Sequence, residues 1–159
     1  MTRTLQHPCP WNRERSVGVG IDFGYVRGYP GGYHYGIDMY APVGEDIEAA
    51  ADGAIVYADD TEGDYGLRVD IDHGDGLYTV YAHLDSILVD VGGLVVAGDL
   101  IGACGNTGNT VKRDDDPDYG SHLHFEVRLG GNAKRHAVDP MEYITPKPKY
   151  FRKAKLRWK

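Results

Sequence analysis

Residues 121–128, Ser-His-Leu-His-Phe-Glu-Val-Arg, constrain this chain more than any other stretch. Leu123, Phe125 and Val127 alternate with His122, His124 and Glu126. Period 2 is the pattern of a strand that sends one apolar face into a core and leaves the other for polar groups. Two histidines at i and i+2 stand side by side, spaced to share a metal ion or a reacting group. A half-exposed strand with solvated imidazoles is the plainer reading of such a pair, because metal ligands need partners from elsewhere in the chain. The remaining sequence decides between the two.

The chain has 159 residues, enough for one domain with a buried core. Its 22 glycines, 12 tyrosines and short apolar runs suit a turn-rich, mainly β protein better than a helix bundle. No run approaches the ~20 apolar residues that span a bilayer, and the first ten residues have no apolar stretch of the signal-peptide kind. No membrane span and no export by the usual route are therefore expected. Cys9 and Cys104 form neither a disulfide framework nor a Cys-x-x-Cys pair and are read as free thiols. The net charge of −7 is unevenly spread: Lys147, Lys149, Arg152, Lys153, Lys155, Arg157 and Lys159 follow Pro146 with no carboxylate among them, which leaves −14 on residues 1–145. Residues 146–159 read as a basic tail, either solvated or drawn to a polyanion such as nucleic acid or the anionic polymers of a bacterial wall. Residues 1–20, weakly patterned and broken by Pro8 and Pro10, read as a lead-in.

Between them, His34 and Asp38 offer two good zinc-ligand types. A regular strand would hold them roughly 13 Å apart, so the backbone must bend, and Gly36 is the residue that permits it. Residues 46–51 are ambiguous, since Glu48-Ala49-Ala50-Ala51 suits a helix but Asp52-Gly53 ends it at once. Residues 54–58 read as strand. Residues 67–73 and 77–83 form a hairpin around Gly74-Asp75-Gly76, with Thr79, Tyr81 and His83 on one face and His73 in a structural role. Residues 87–91, 94–99 and 100–104 read as short strands, and 105–110 as a tight loop. The acidic run Asp114-Asp115-Asp116-Pro117-Asp118 lacks the glycine and distal glutamate of an EF-hand and reads as a solvated loop.

Three groups now fall in order: His34-Tyr35-Gly36-Ile37-Asp38, Tyr81-Ala82-His83-Leu84 and His122-Leu123-His124-Phe125-Glu126. Gly66-Leu67-Arg68-Val69, Asp72-His73-Gly74-Asp75-Gly76 and Gly105-Asn106-Thr107-Gly108 lie between them. Together they resemble the lysostaphin/LytM zinc metallopeptidases, peptidase family M23, over roughly residues 21–145. The resemblance implies a single-domain, mainly β fold, an antiparallel β-sheet or sandwich of the LytM (duplicated hybrid motif-like) type. It implies one Zn2+ per chain on His34, Asp38 and His124, with His83 and His122 as the catalytic pair. Two histidines and a carboxylate leave a fourth tetrahedral position for water, as catalytic zinc requires. His122 is assigned as the base and His83 as donor to the oxyanion; spacing alone allows the exchange.

The implied activity is endopeptidase cleavage of bacterial peptidoglycan, in stem peptides or cross-bridges. The substrate-binding residues and the bond cleaved are not specified. Two departures from the family pattern stand out. Residues 111–120 are longer than the usual link and are expected to form an extended groove wall. The chain also shows neither an export signal nor a wall-binding repeat, which resembles a phage endolysin or a virion-associated lysin. A lead-in residue such as Asn12 is a candidate to reach the metal. A catalytically silent module that grips peptidoglycan or regulates another hydrolase is the alternative; a wall- or nucleic-acid-binding protein dominated by its tail is a third. A monomer with peptidoglycan as partner is expected, the tail touching anionic wall polymers, and nucleic acid is not expected.

Overall fold

The computed structural model describes residues 4–15 and 19–146. The basic tail, from residue 147 onward, lies outside the described residues. The chain opens with β1 (Leu5–Gln6), the single helical turn α1 (Pro10–Arg15), β2 (Val19–Ile21), β3 (Gly24–Tyr25), β4 (Tyr33–His34) and β5 (Ile37–Tyr40). It continues through β6 (Asp46–Glu48), β7 (Gly53–Asp60), β8 (Leu67–Asp72), β9 (Leu77–Leu84), β10 (Ser86–Ile87), β11 (Leu94–Val95) and β12 (Leu100–Ala103). It closes with β13 (His122–Leu129), β14 (Ala137–Val138) and β15 (Ile144–Thr145), with short 3-10 turns at Lys134–His136 and Pro140–Glu142.

The fold is mainly β. Its main sheet runs β11-β7-β8-β9-β13-β5-β2, antiparallel throughout, with β14 added beside β13. A smaller antiparallel sheet, β10-β12-β6, supplies Ile47 and Ile101 to the same core. The alternation in β13 decides the arrangement: Leu123, Phe125 and Val127 are fully buried in that core, while Glu126 and the histidines take the other face. Phe125 pairs with Tyr81 of β9 on one side and Ile37 of β5 on the other. The Tyr81 ring meets Phe125 edge-on at 5.3 Å, and its hydroxyl accepts the Ala50 N–H at 2.8 Å. Each such large side chain stabilises the fold by about 1.5–3 kcal/mol.

Two expectations change on contact with the fold, and one open reading is decided. The lead-in is built into the domain: β1 pairs in parallel with β15, Leu5 and Cys9 enter the core, and Asn12 is fully buried with its amide donating to Tyr40 O at 3.0 Å. Asn12 therefore does not line the groove. Residues 46–51 go extended rather than helical, because the N–H groups of Glu48 and Ala49 bond to Pro8 O and Asp99 O; tertiary partners override propensity. The strands expected at 87–91 and 94–99 shrink to β10 and β11, cut short by turns through Gly92-Gly93 and Gly98. The 67–73/77–83 hairpin forms as read, and His73 is structural, bonded at 2.8 Å to Asp52 O and at 2.7 Å to Thr79 Oγ1.

The packed lead-in carries a pH signature. His7 is buried, its Nδ1 accepting the Cys9 N–H, and burial, with Arg13 nearby, lowers its pKa to about 4. The unfolded chain binds this proton below about 6.5 while the folded chain refuses it until about 4, so stability falls as pH drops through that window. The loss is on the order of 3 kcal/mol. Thermal melts between pH 7 and 4.5 are expected to show this decline, and His7→Asn, which keeps a short acceptor near Cys9, is expected to make it shallower, leaving the part that the likewise depressed His83 contributes.

Candidate active site

The polar face of β13 meets β4, β5 and β9 at a groove of about 520 Å³. His34 ends β4 and Asp38 lies in β5, with Tyr35-Gly36 as a bend between them. Gly36 serves this bend by leaving room: a Cβ there would sit 2.4 Å from Phe125 O and 2.9 Å from His124 Cε1. A side chain at position 36 would push β13 off β5 and separate the two halves of the site.

Folding brings His34, Asp38 and His124 together, all three buried. His34 Nε2 lies 3.0 Å from His124 Nδ1 and 3.1 Å from Asp38 Oδ1, and His124 Nδ1 lies 2.9 Å from that same oxygen. The second ring nitrogens fix the tautomers. His34 Nδ1 faces Asp22 O at 3.0 Å, and a carbonyl only accepts, so Nδ1 carries the hydrogen. His124 Nε2 likewise donates to Glu126 Oε1 at 3.0 Å. With a cation among them, all three atoms would present lone pairs to one point; without it, a proton on His124 Nδ1, donated to Asp38 Oδ1, takes its place. Two imidazoles and one carboxylate can hold a divalent metal ion of zinc type. Burial opposes charge on His124, yet the hydrogen bonds to Asp38 and Glu126 outweigh it and raise its pKa to about 9. Burial also opposes the Asp38 anion, but His122, His124 and His34 hold its carboxyl well below the usual range.

His83 and His122 complete the cluster, their rings 4.8 Å apart. His83 is not on the face of Thr79 and Tyr81, as plain alternation predicts. Leu67 pairs with Leu84 but Val69 pairs with Tyr81, so Ala82 and His83 together oppose Arg68 in a bulge. His83 takes a left-handed backbone, φ 62°, and its ring swings out of the core to the metal side. Such a conformation costs a non-glycine residue about 1–2 kcal/mol and needs support. His83 N–H donates to Tyr65 O and Nδ1 to Thr107 O, both at 2.9 Å. Gly108, at φ 76°, lets the 105–110 loop press against the turn before β8, where a Cβ would meet Asp64 O at 2.5 Å. Burial, with His122 and His124 nearby, lowers the His83 pKa to about 3. His122 Nδ1 donates to Gly120 O at 2.7 Å, which turns Nε2 toward Asp38 Oδ2 at 3.6 Å.

Behind His124 lies a polar network that strand alternation does not reveal. Glu126 is fully buried and accepts from His124, from Tyr65 OH at 2.5 Å and from Arg128 Nε at 2.7 Å. Arg128 continues to Asn132 O and Oδ1, and Asn132 donates to Asp70, which Arg68 grips with two nitrogens. Burial raises the Glu126 pKa, but His124, Arg128 and Tyr65 more than reverse this, to about 2. Tyr29, Tyr33, Tyr35, Tyr65 and Lys134 line the groove and were not legible as site residues. For Tyr29 and Tyr33 the one sequence signal is the density of tyrosine in the Gly/Pro loop before His34; Tyr65 and Lys134 carry none. The extended wall expected from residues 111–120 is not formed: only Val111 lines the groove. The acidic run folds back through an Arg113–Asp116 bridge, and Asp118 Oδ1 accepts the Val43 N–H at 2.7 Å.

A metal-type triad, with His34 from β4 and Asp38 and His124 from the main sheet, and a histidine pair beside it make a candidate mononuclear metal site. The chain belongs to peptidase family M23, whose sequence model matches residues 32–140. It is 37% identical over 152 residues to the DD-carboxypeptidase/endopeptidase Mpg of Neisseria meningitidis serogroup B, across 92% of this chain and 32% of Mpg. It is 34% identical over 141 residues to the glycyl-glycine endopeptidase ALE-1 of Staphylococcus capitis, across 87% of this chain and 36% of ALE-1. The catalytic domain of the antimicrobial peptidase lysostaphin from Staphylococcus simulans matches with a TM-score of 0.72 at 30% identity, over 85% of this chain and 97% of that one. The chain thus spans about a third of the length of the curated relatives it matches. Among the described residues, no helix is long and apolar enough to cross a membrane.

Proposed function

We propose that this chain is a zinc-dependent endopeptidase acting on bacterial peptidoglycan, with residues 21–145 as its catalytic domain and β1 and α1 as a packed brace. The observation that carries the reading is the convergence of three ligand-type atoms from His34, Asp38 and His124 beside a second, independently held histidine pair. Family membership and relatives named as a DD-carboxypeptidase/endopeptidase and a glycyl-glycine endopeptidase support the substrate class.

His34, Asp38 and His124 would hold the ion, with His34 and His124 oriented by Asp22 O and Glu126. Zinc supplies Lewis acidity, bringing the pKa of a water down to about 7. His122, with Nδ1 tied to Gly120 O, presents Nε2 as the base for the attacking water, and Asp38 Oδ2 stabilises the imidazolium that results. His83 acts on the carbonyl oxygen of the scissile bond. Its Nδ1 hydrogen is committed to Thr107 O, so donation from Nε2 requires the charged ring, which the negative charge developing on the scissile carbonyl oxygen favours. Replacing either histidine with alanine is expected to lower kcat by about 10²–10⁴ while metal content stays at one per chain; peptide cleavage rates beside metal analysis check this.

The test of the function is digestion of purified sacculi of contrasting cross-link chemistry by the zinc-loaded protein, with new termini identified by mass spectrometry. Defined peptide termini that vanish under a chelator are expected. Zinc at one per chain with no cleavage of any wall type would identify a silent wall-binding module instead.

A further inference from the structure

The groove walls contain one lysine or arginine side chain among the described residues, Lys134. Its ammonium stands 4.9 Å from the Tyr65 ring centroid and 5.3 Å from that of Tyr35, and no carboxylate of the described residues pairs with it. Of the carboxylates that line the groove, Asp38 faces three histidines, Glu126 faces His124 and Arg128, and Asp64 makes no ion pair with Lys134. Lys134 is thus a cation held over two aromatic faces and lacking an anion.

Its placement is coupled to the chemistry. Lys134 opens the 3-10 turn that follows β13, and Ala137 and Val138 return to pair with that strand. Two residues earlier, Asn132 is clasped by Arg128, which also bonds Glu126, the partner of His124. Tyr65 links the two ends: its ring lies 4.9 Å from Lys134 Nζ and 5.7 Å from the His124 ring. An extended peptide advances about 3.3 Å per residue, so Lys134 reaches a group within about three residues of the reacting bond.

We infer that Lys134 is a specificity residue that recognises a free carboxylate on the peptide close to the scissile bond. The inference rests on the endopeptidase reading above and narrows it. A stem peptide qualifies, because a D-alanine terminus or the diamino acid at a cross-link carries a free carboxylate beside the amide. An internal glycine bridge, neutral along its length, does not. The tyrosine faces limit the freedom the lysine loses on binding, which makes the ammonium a prepared anion site.

Matched peptides test it, one with a free carboxylate next to the scissile amide, one carrying the carboxamide there, and a pentaglycine peptide. Zinc-loaded wild type is expected to favour the acid over the amide about tenfold, mainly through KM. Lys134→Met is expected to bring the two level, and Lys134→Arg to keep the preference. Calorimetric binding of the same peptides to zinc-loaded His122→Ala reads recognition without turnover and is expected to show the same ratio. Equal affinity for acid and amide, or a preference that survives Lys134→Met, would overturn the inference. Failure of wild type to cleave any peptide while the binding ratio holds would sink the endopeptidase reading and leave Lys134 as a carboxylate site.

Discussion

Asp38→Asn is expected to strip the metal from this chain and reduce cleavage by roughly 10³-fold or more. Asp38 supplies the anionic member of the triad and touches the rest of it, with Oδ1 within about 3 Å of both ligand nitrogens and Oδ2 toward His122. The amide keeps the shape but removes the charge. His34 and His124 then offer two neutral donors, and the imidazolium formed on His122 loses its counter-ion. Changes one shell further out typically cost about 10–100-fold in affinity, so loss of a ligand is expected to exceed that. Metal content after dialysis, beside a thermal melt showing a folded chain, separates this from collapse of the site.

Glu126→Gln is expected to act on stability and metal together. The carboxylate is fully buried and is the anionic partner of Arg128, itself 2% exposed. Breaking a buried pair by removing one charge costs about 3–5 kcal/mol, because the other is left without compensation. The other oxygen of this carboxylate, Oε1, fixes the His124 tautomer, so metal affinity is expected to fall about 10–100-fold. Replacing Glu126 and Arg128 together with methionine distinguishes the two effects. That double variant is expected to regain much of the stability, since apolar replacement of a whole buried pair is often close to neutral. It is not expected to regain the metal affinity. Denaturant unfolding and metal titration on both variants are the measurements.

How far the sequence leads here depends on whether a residue announces its partner through local pattern. The β8–β9 hairpin and the faces of β13 follow from alternation around Gly74-Asp75-Gly76 and within residues 122–127, because side-chain direction in a strand is a local property. The grouping of His34, Asp38 and His124 was legible only through the order of three motifs, and the fold does bring those atoms within 4.8 Å of one another. The orientation of His83 was not, because a bulge is set by how two strands register and by the loop that holds it, not by residues 79–83 themselves. Leu5 and Cys9 sit in a proline-broken segment with no period, so their burial against β15 and β6 depends on long-range pairing alone. The link from Glu126 through Arg128 to Asn132 and Asp70 joins residues up to 62 apart in sequence, beyond the reach of any periodicity.

The central claim is that one metal and the His83–His122 pair act as a single hydrolytic centre. It is tested most directly by measuring zinc and new peptide termini in the same sample of digested sacculi. Wild type titrated with zinc is expected to release termini in proportion to bound metal, up to one ion per chain. His122→Ala at the same metal content is expected to release almost none. Undiminished termini from the zinc-filled His122→Ala chain would contradict the claim, as would a filled wild-type site that cuts nothing.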